Sequence, residues 1–350
     1  MSPSTNGSAD QAASASSSVH AGEPVLVTGA TGCTGGRLTE MLSERGAQTK
    51  ILVRSAEKAA RFKDPANVTI VEGDLVNAQD VMKAAEGVKR IYHIAALYRT
   101  ANHTDQEYHD VNVGGAQHVL DAARHHGVER VVHCSTIGVH GDVKEIPCHE
   151  DSPFNPGDIY QVTKLEGEKL AQAAFAKDLT GAVVRPAGIY GPGDTRFLKL
   201  FKAIHKGVFF MVGSGKTLWH PVYIDDLCEG ILLAGTHENA PGRTYVLASA
   251  HYNTLNEVAA EVANAVGKPT PKRRLPLWPF VYGAKLCETV CAPLGIAPPL
   301  HERRVAFFTK NRAFSIERAR AELGYDPQFD IHEGFRRTAD WYFAQRLLQR

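Results

Sequence analysis

No pair of cysteines in this sequence is spaced for a metal or a redox couple. The six, Cys33, Cys134, Cys148, Cys228, Cys287 and Cys291, are scattered, and no Cys-x-x-Cys occurs. Free thiols in a reducing compartment are therefore expected, which points to the cytoplasm. No His-Glu-x-x-His occurs among the sixteen histidines, so no metal ligands are assigned. An excess of one charge is lacking as well: the net charge is +1, and Lys, Arg, Asp and Glu are spread along the chain. That removes any electrostatic case for nucleic acid as a partner. No apolar run is long and uncharged enough to span a bilayer. Residues 1–22 are rich in Ser and Ala and lack the apolar core and basic start of a signal peptide. They also lack the arginines of a transit peptide, and a disordered tail is expected.

What is present is an alternation of short apolar runs with helical patterns. "EPVLVT" (23–28), "TKILVR" (49–54), "VTIVEGDL" (68–75), "RIYHIAA" (90–96), "ERVVHCST" (129–136) and "GAVVRP" (181–186) suit buried strands. Between them, 36–45, 81–88, 112–127 and a stretch ending near Lys177 suit helices. Short connections between such elements predict an α/β fold, a Rossmann-type doubly wound parallel sheet covered on both faces. The rhythm breaks near Gly188, where loops lengthen and prolines cluster. The expected organisation is a dinucleotide-binding domain over 23–187 and a smaller C-terminal substrate lobe over 188–350, with segments returning to the first.

"VLVTGATGCTGGRLTEML" places Gly29, Gly32 and Gly35 after a strand and at the start of a helix. Glycine there lets the backbone approach a pyrophosphate, whose charge the helix N-terminus stabilises. The Gly-x-x-Gly-x-x-Gly spacing differs by one residue from the usual dinucleotide fingerprint. A second motif, "DIYQVTKLEGEKL" (158–170), sets Tyr160 and Lys164 one helical turn apart.

Several ordered motifs carry a resemblance: "TGATGCTG", "GDL" (73–75), "HIAA" (93–96), "YQVTK", "RPAGIYGPGD" (185–194) and "HPVYIDDL" (220–227). Together they resemble the extended short-chain dehydrogenase/reductases, including the NAD-dependent epimerase/dehydratase-like enzymes, from about Glu23 to Leu348. The resemblance implies a nicotinamide dinucleotide held by Gly29, Thr31, Gly32, Cys33, Thr34, Gly35, Arg54, Asp74, Leu75, Ala95 and Pro186, together with Tyr160 and Lys164. Asp74 would contact the adenine. Tyr160 would be the general acid or base, Lys164 its supporting cation and ribose ligand, and Thr136 the hydroxyl holding the substrate oxygen, with Ser135 as the alternative. "LEGEKL", after the motif, is expected to be solvated apart from Leu165 and Leu170.

The second strand ends on Arg54, with Lys58 and Arg61 further on, and no acid stands at its tip. A guanidinium suits a 2′-phosphate, so NADP is favoured over NAD. The cations of the second lobe, such as Arg196, Lys199, Lys202 and the run Lys272, Arg273, Arg274, are either solvated surface charge or a grip for a diphosphate. The segment 275–300, with Trp278, Phe280, Tyr282, Leu286, Val290 and Leu294, is unusually apolar. It suits a lid over a lipophilic substrate, a surface-docking helix in peripheral contact with a membrane, or simple lobe packing.

The C-terminal stretch "FFTKNRAFSIERARAELGYDPQFDIHEGFRRTADWY" resembles the ending of the 3β-hydroxysteroid dehydrogenase branch. That branch includes sterol-4-carboxylate dehydrogenases and long-chain β-keto acid reductases, and similar endings occur in dihydroflavonol reductase relatives. The resemblance thus implies an NAD(P)-dependent alcohol–ketone oxidoreductase on a lipophilic substrate. The alternative is a sugar-nucleotide epimerase or dehydratase with tightly held NAD, and a cofactor-sensing regulator is a third. Family members pair through two helices, here around 112–126 and 160–177, so a homodimer is expected.

Overall fold

The computed structural model describes residues 20–98, 103–291 and 302–349. Most of the expected tail, 1–19, lies outside the described residues. His20–Gly22, which the sequence places in that tail, instead form a turn. His20 is buried, and its Nδ1 lies 3.2 Å from Glu23 Oε2. Burial alone would raise the Glu23 pKa. Hydrogen bonds from His20 and Arg90 outweigh it and hold the carboxyl down at about 2. An ionic staple between Glu23 and Arg90 thus holds the entry to β1, Pro24–Thr28, against β4, Arg90–His93.

In chain order the strands are β1 Pro24–Thr28, β2 Gln48–Val53, β3 Val68–Glu72, β4 Arg90–His93, β5 Arg130–Cys134 and β6 Gly181–Pro186. The short β7 Gly188–Tyr190, β8 Met211–Val212, β9 Leu218–Trp219 and β10 Pro221–Tyr223 follow, then β11 Thr244–Leu247, β12 Asn253–Thr254 and β13 Arg274–Leu275. Seven of them form one parallel sheet in the order β11-β6-β5-β4-β1-β2-β3. Both faces are covered. Along β1, Val25 and Val27 enter one core cluster and Leu26 the other, all three fully buried. That explains why these strands are continuous apolar runs rather than alternating ones. The strand order reverses between β1 and β4, which opens a crevice at their C-terminal ends.

The helix Cys33–Glu44 starts three residues before the position expected from sequence, with Gly32 as its N-cap, and buries the expected Leu38, Met41 and Leu42. The helix expected from Asn112 starts at Asp105, under a capping box made by Thr104 and Glu107. It passes through a π-turn at Asp110–Gly114 and continues as Gly115–His125. The helix Ile159–Lys177 is capped by Asp158, which accepts from Gln161 N at 2.9 Å.

The expectation that "LEGEKL" is a solvated continuation is wrong at two positions. Glu168 is fully buried, and Gly167 is buried so tightly that an added Cβ would lie 2.6 Å from Asn112 O. Alternating charge mimics a wet face here because the buried charge has a buried countercharge, described below.

The lobe after Gly188 is not separate from the sheet. β11 pairs with β6, and the helix Ile224–Thr236 packs on β5, β6 and the helix Cys33–Glu44. Asp226 on that helix accepts from Gln328 N at 2.8 Å and Phe329 N at 3.0 Å, tying the C-terminal stretch down. Burial pushes its pKa up to about 6, against the pull of those two bonds. The apolar segment of 275–300 is a helix over Trp278–Cys291. Its remainder, with Leu294, lies outside the described residues. Among the described residues no helix is long and apolar enough to cross a membrane.

Candidate active site

One cavity of about 1440 Å³ lies in the crevice at the β1/β4 switch point and runs into the second lobe. The glycine loop forms one end. Gly29 has φ +80°, and a Cβ there would lie 2.8 Å from the Ala95 backbone. A Cβ on Gly35 would lie 2.3 Å from Gly29 O. Both positions exclude any side chain, and the packing pulls the helix N-terminus up to the loop. That terminus carries no side-chain cap and no acid in its first turn, so its N–H groups point at the cavity. This cradle fits a pyrophosphate. Gly35→Ala is expected to cut dinucleotide affinity on the order of tenfold or more, about the loss of one charge-assisted hydrogen bond. Titration calorimetry of the purified variant with the coenzyme reads it directly.

The other predicted positions converge on the same cavity. Arg54 is exposed at the tip of β2, and Asp74 and Leu75 follow β3. Asp74 Oδ1 accepts from Val76 N at 3.2 Å, which fixes that turn. Ala95 N donates to Thr28 Oγ1 at 3.2 Å, which itself meets His93 Nδ1 at 2.9 Å. Thr31, Thr34 and Pro186 complete the wall. Cys33 also lines it, but burial, then the Asp194 charge, pushes its thiol up to about 11. The side chain is therefore a neutral packing group. Arg61, read from sequence only as a further cation, lies over the glycine loop, donating to Ala30 O at 3.1 Å and Gly32 O at 3.4 Å.

Tyr160 stands in the first turn of the helix Ile159–Lys177, with Lys164 one turn on and Glu168 one turn further, all on one face. Tyr160 is 8% exposed and lines the cavity; the Tyr98 ring packs edge-on against it at 5.1 Å. The Arg196 guanidinium covers the Tyr98 ring at 5.6 Å. Lys164 Nζ donates to Cys134 O, the end of β5, at 2.6 Å. Burial presses the Lys164 pKa down, and the neighbouring Glu168 carboxylate opposes this.

The two candidate hydroxyls after β5 face different environments. Thr136 Oγ1 accepts from Gly138 N at 3.0 Å, leaving its own proton to donate into the cavity. Ser135 donates to Glu168 Oε2 at 2.5 Å. Glu168 and Arg185, at 0% and 1% exposure, form an ion pair at 2.5 Å. Arg185 donates further to Glu150 O at 2.6 Å and to His140 Nε2 at 3.0 Å. Burial, then the guanidinium, lowers the His140 pKa, so the ring is neutral and can accept. This buried network went unread in the sequence. Its signal was the spacing, since Glu168 repeats the four-residue step from Tyr160 to Lys164.

The far wall comes from the second lobe. The helix Trp278–Cys291 supplies Val281 and Ala284, and Val305 and Phe314 join them. Lys310 pairs with Asp142 at 3.4 Å, linking the lobe to the loop after β5.

Comparison with known proteins agrees with this geometry. The model of the NAD dependent epimerase/dehydratase family matches residues 25–248. A 3 beta-hydroxysteroid dehydrogenase/Delta 5-->4-isomerase of Mycobacterium tuberculosis is 31% identical over 91% of this chain and 90% of its own. A 4-hydroxy-2-methyl-3-oxo-4-farnesyl-3,4-dihydroquinoline-1-oxide ketoreductase of Stigmatella aurantiaca is 32% identical over 88% of this chain and 93% of its own. Among solved structures, a UDP-glucuronic acid 4-epimerase from Bacillus cereus in complex with NAD superposes with a TM-score of 0.75. It is 21% identical, over 92% of this chain and 99% of that one, and shares the fold.

Proposed function

Because this chain belongs to the NAD-dependent epimerase/dehydratase family, and so is a short-chain dehydrogenase/reductase-type enzyme acting on CH–OH groups, we propose that it interconverts a secondary alcohol and a ketone on a lipophilic substrate. The observation that carries this reading is the cavity's two-sided wall. Tyr160, Lys164 and Thr136 stand on one side, and the apolar Val281, Ala284, Val305 and Phe314 on the other. A steroid-like ring system, a 4-carboxysterol or a long-chain β-keto acid suits such a wall. The names of the two relatives support the choice, one a 3 beta-hydroxysteroid dehydrogenase and one a ketoreductase of a farnesylated ring.

In this reading Tyr160 Oη takes the proton of the substrate hydroxyl during oxidation and returns it during reduction. A free phenol ionises near pH 10, and a cation one helical turn away favours the phenolate. Lys164 supplies that charge. It is held on Cys134 O, and burial, which presses its pKa down, is opposed in part by Glu168. Thr136 donates to the substrate oxygen and holds it beside Tyr160, while Ser135 is engaged by Glu168. The nicotinamide coenzyme, when bound, supplies the hydride acceptor or donor.

Arg54 supports NADP as the preferred coenzyme, since it is exposed on the cavity wall at the end of β2 and β2 itself carries no acid, the nearby Glu72 of β3 accepting instead from Ala56 N at 3.4 Å. A charge-assisted hydrogen bond contributes about 1.5–3 kcal/mol. Arg54→Asp should therefore lower the NADPH-to-NADH ratio of kcat/KM by roughly 10- to 100-fold. An unchanged ratio in steady-state assays would overturn the NADP assignment. Pairing of two subunits through Asp105–His125 and Ile159–Lys177 belongs to the same reading.

The second reading, a sugar-nucleotide epimerase or dehydratase, draws on the cations Lys285, Lys310 and Arg312 that share the lobe wall. A screen of NADPH and NADH against steroid ketones, long-chain β-keto acids and UDP-sugars separates the two. Net coenzyme oxidation with a lipophilic ketone supports the first. Interconversion of UDP-sugars without net turnover supports the second.

A further inference from the structure

We propose that the helix Trp278–Cys291, with the β8–β13 corner beside it, is a docking surface for an anionic lipid bilayer. The helix presents apolar residues on two faces. One, with Val281 and Ala284, roofs the cavity. The other carries Trp278, Tyr282 and Leu286 at steps of four residues, and these are 65%, 68% and 65% exposed. Leu275 on β13 and Phe210 and Val208 just before β8 extend the patch. Six of the eleven large apolar side chains exposed among the described residues therefore sit in this one corner. Scattered exposed apolar residues are ordinary, but a contiguous group of this kind marks a surface that something covers.

Charge identifies the occupant. The two segments that meet at the β8–β13 pair, 197–217 and 262–291, contain nine Lys and Arg against a single acid, Glu288, which lines the cavity, in a chain whose net charge is only +1. Lys206, Lys272, Arg273 and Arg274 are all exposed beside the patch, and Lys285, also exposed, stands on the cavity wall between the two faces of the helix. An apolar stripe with Trp and Tyr, rimmed mainly by cations, matches the boundary between acyl chains and anionic headgroups. A second copy of this chain would bring the same positive corner against itself. A nucleic acid would satisfy the cations and leave the Trp278–Leu286 stripe in water. Docking lays the cavity roof along the bilayer, and it requires no particular identity for the alcohol or ketone.

The test uses the full chain with vesicles of phosphatidylglycerol and phosphatidylcholine, and with phosphatidylcholine alone. The chain should sediment with the anionic vesicles, more weakly with the neutral ones, and be released by salt. Trp278→Ser/Tyr282→Ser/Leu286→Ser should weaken binding on the order of tenfold or more. None of the three side chains lines the cavity, so coenzyme affinity should stay at the parent value and certify the fold. Brominated acyl chains should quench the parent's tryptophan emission, and Trp278→Phe should bind yet lose most of that quenching, because Trp219 is buried and Trp341 is half-buried against the core on the helix Ile331–Ala344. The proposal is overturned if the parent stays in the supernatant with anionic vesicles, or if the triple variant binds as well as the parent. It is equally overturned if the parent is a dimer that the triple variant converts to monomer, since a second copy then covers the patch.

Discussion

Tyr160→Phe should lower the rate of hydride transfer by about 10²- to 10⁴-fold, the usual contribution of a positioned proton donor or acceptor. Coenzyme affinity should change little. The ring keeps its packing against Tyr98, and the glycine cradle and Lys164 are untouched. Single-turnover measurements separate the two quantities, with binding read by titration and chemistry by the loss of reduced nicotinamide absorbance. Thr136→Ala should give a smaller loss than Tyr160→Phe, because a positioned donor is removed but proton transfer remains. A rate near that of the parent in the Tyr160 variant would remove this residue from the chemistry.

Glu168→Ala should destabilise the fold by about 3–5 kcal/mol, the cost of leaving one member of a buried pair without its countercharge. Arg185 is 1% exposed, and its Nε and Nη2 both bond to that carboxylate. Replacing both residues together by apolar ones of similar size should recover much of the loss, because desolvation of two charges offsets most of their attraction. Urea unfolding followed by circular dichroism gives both values. A loss below about 1 kcal/mol in the single variant would show that Arg185 finds another partner. The same substitution also removes one of the charges that oppose the lowering of the Lys164 pKa, so any folded Glu168 variant should also show a slower proton transfer at Tyr160.

Local chemistry was legible in the sequence wherever a residue type had one physical use. Gly29 and Gly35 are such cases, because no side chain fits where they sit. The four-residue step from Tyr160 to Lys164 is another, and both line the cavity. The six strands of the first half were also legible, since a sheet covered on both faces writes itself as apolar runs. Long-range partners were not. Glu168 looked like a solvated charge because its countercharge lies 17 residues away, on β6. Sequence left Ser135 and Thr136 as alternatives for the same reason: the Ser135–Glu168 bond spans 33 residues. The strand β11 and the helix Ile224–Thr236 fall after the alternation breaks, so their return to the sheet could be anticipated only in outline. The outer face of Trp278–Cys291 was visible as apolar but not as exposed, because composition does not say which side of a helix meets water.

The most direct measurement of the central claim is the stoichiometry of nicotinamide turnover by the purified chain. With a lipophilic ketone such as a 3-ketosteroid and added NADPH or NADH, each alcohol formed should consume one reduced coenzyme, and Tyr160→Phe should abolish both together. A chain that purifies with NAD already bound, interconverts UDP-sugars and consumes no added coenzyme would contradict it.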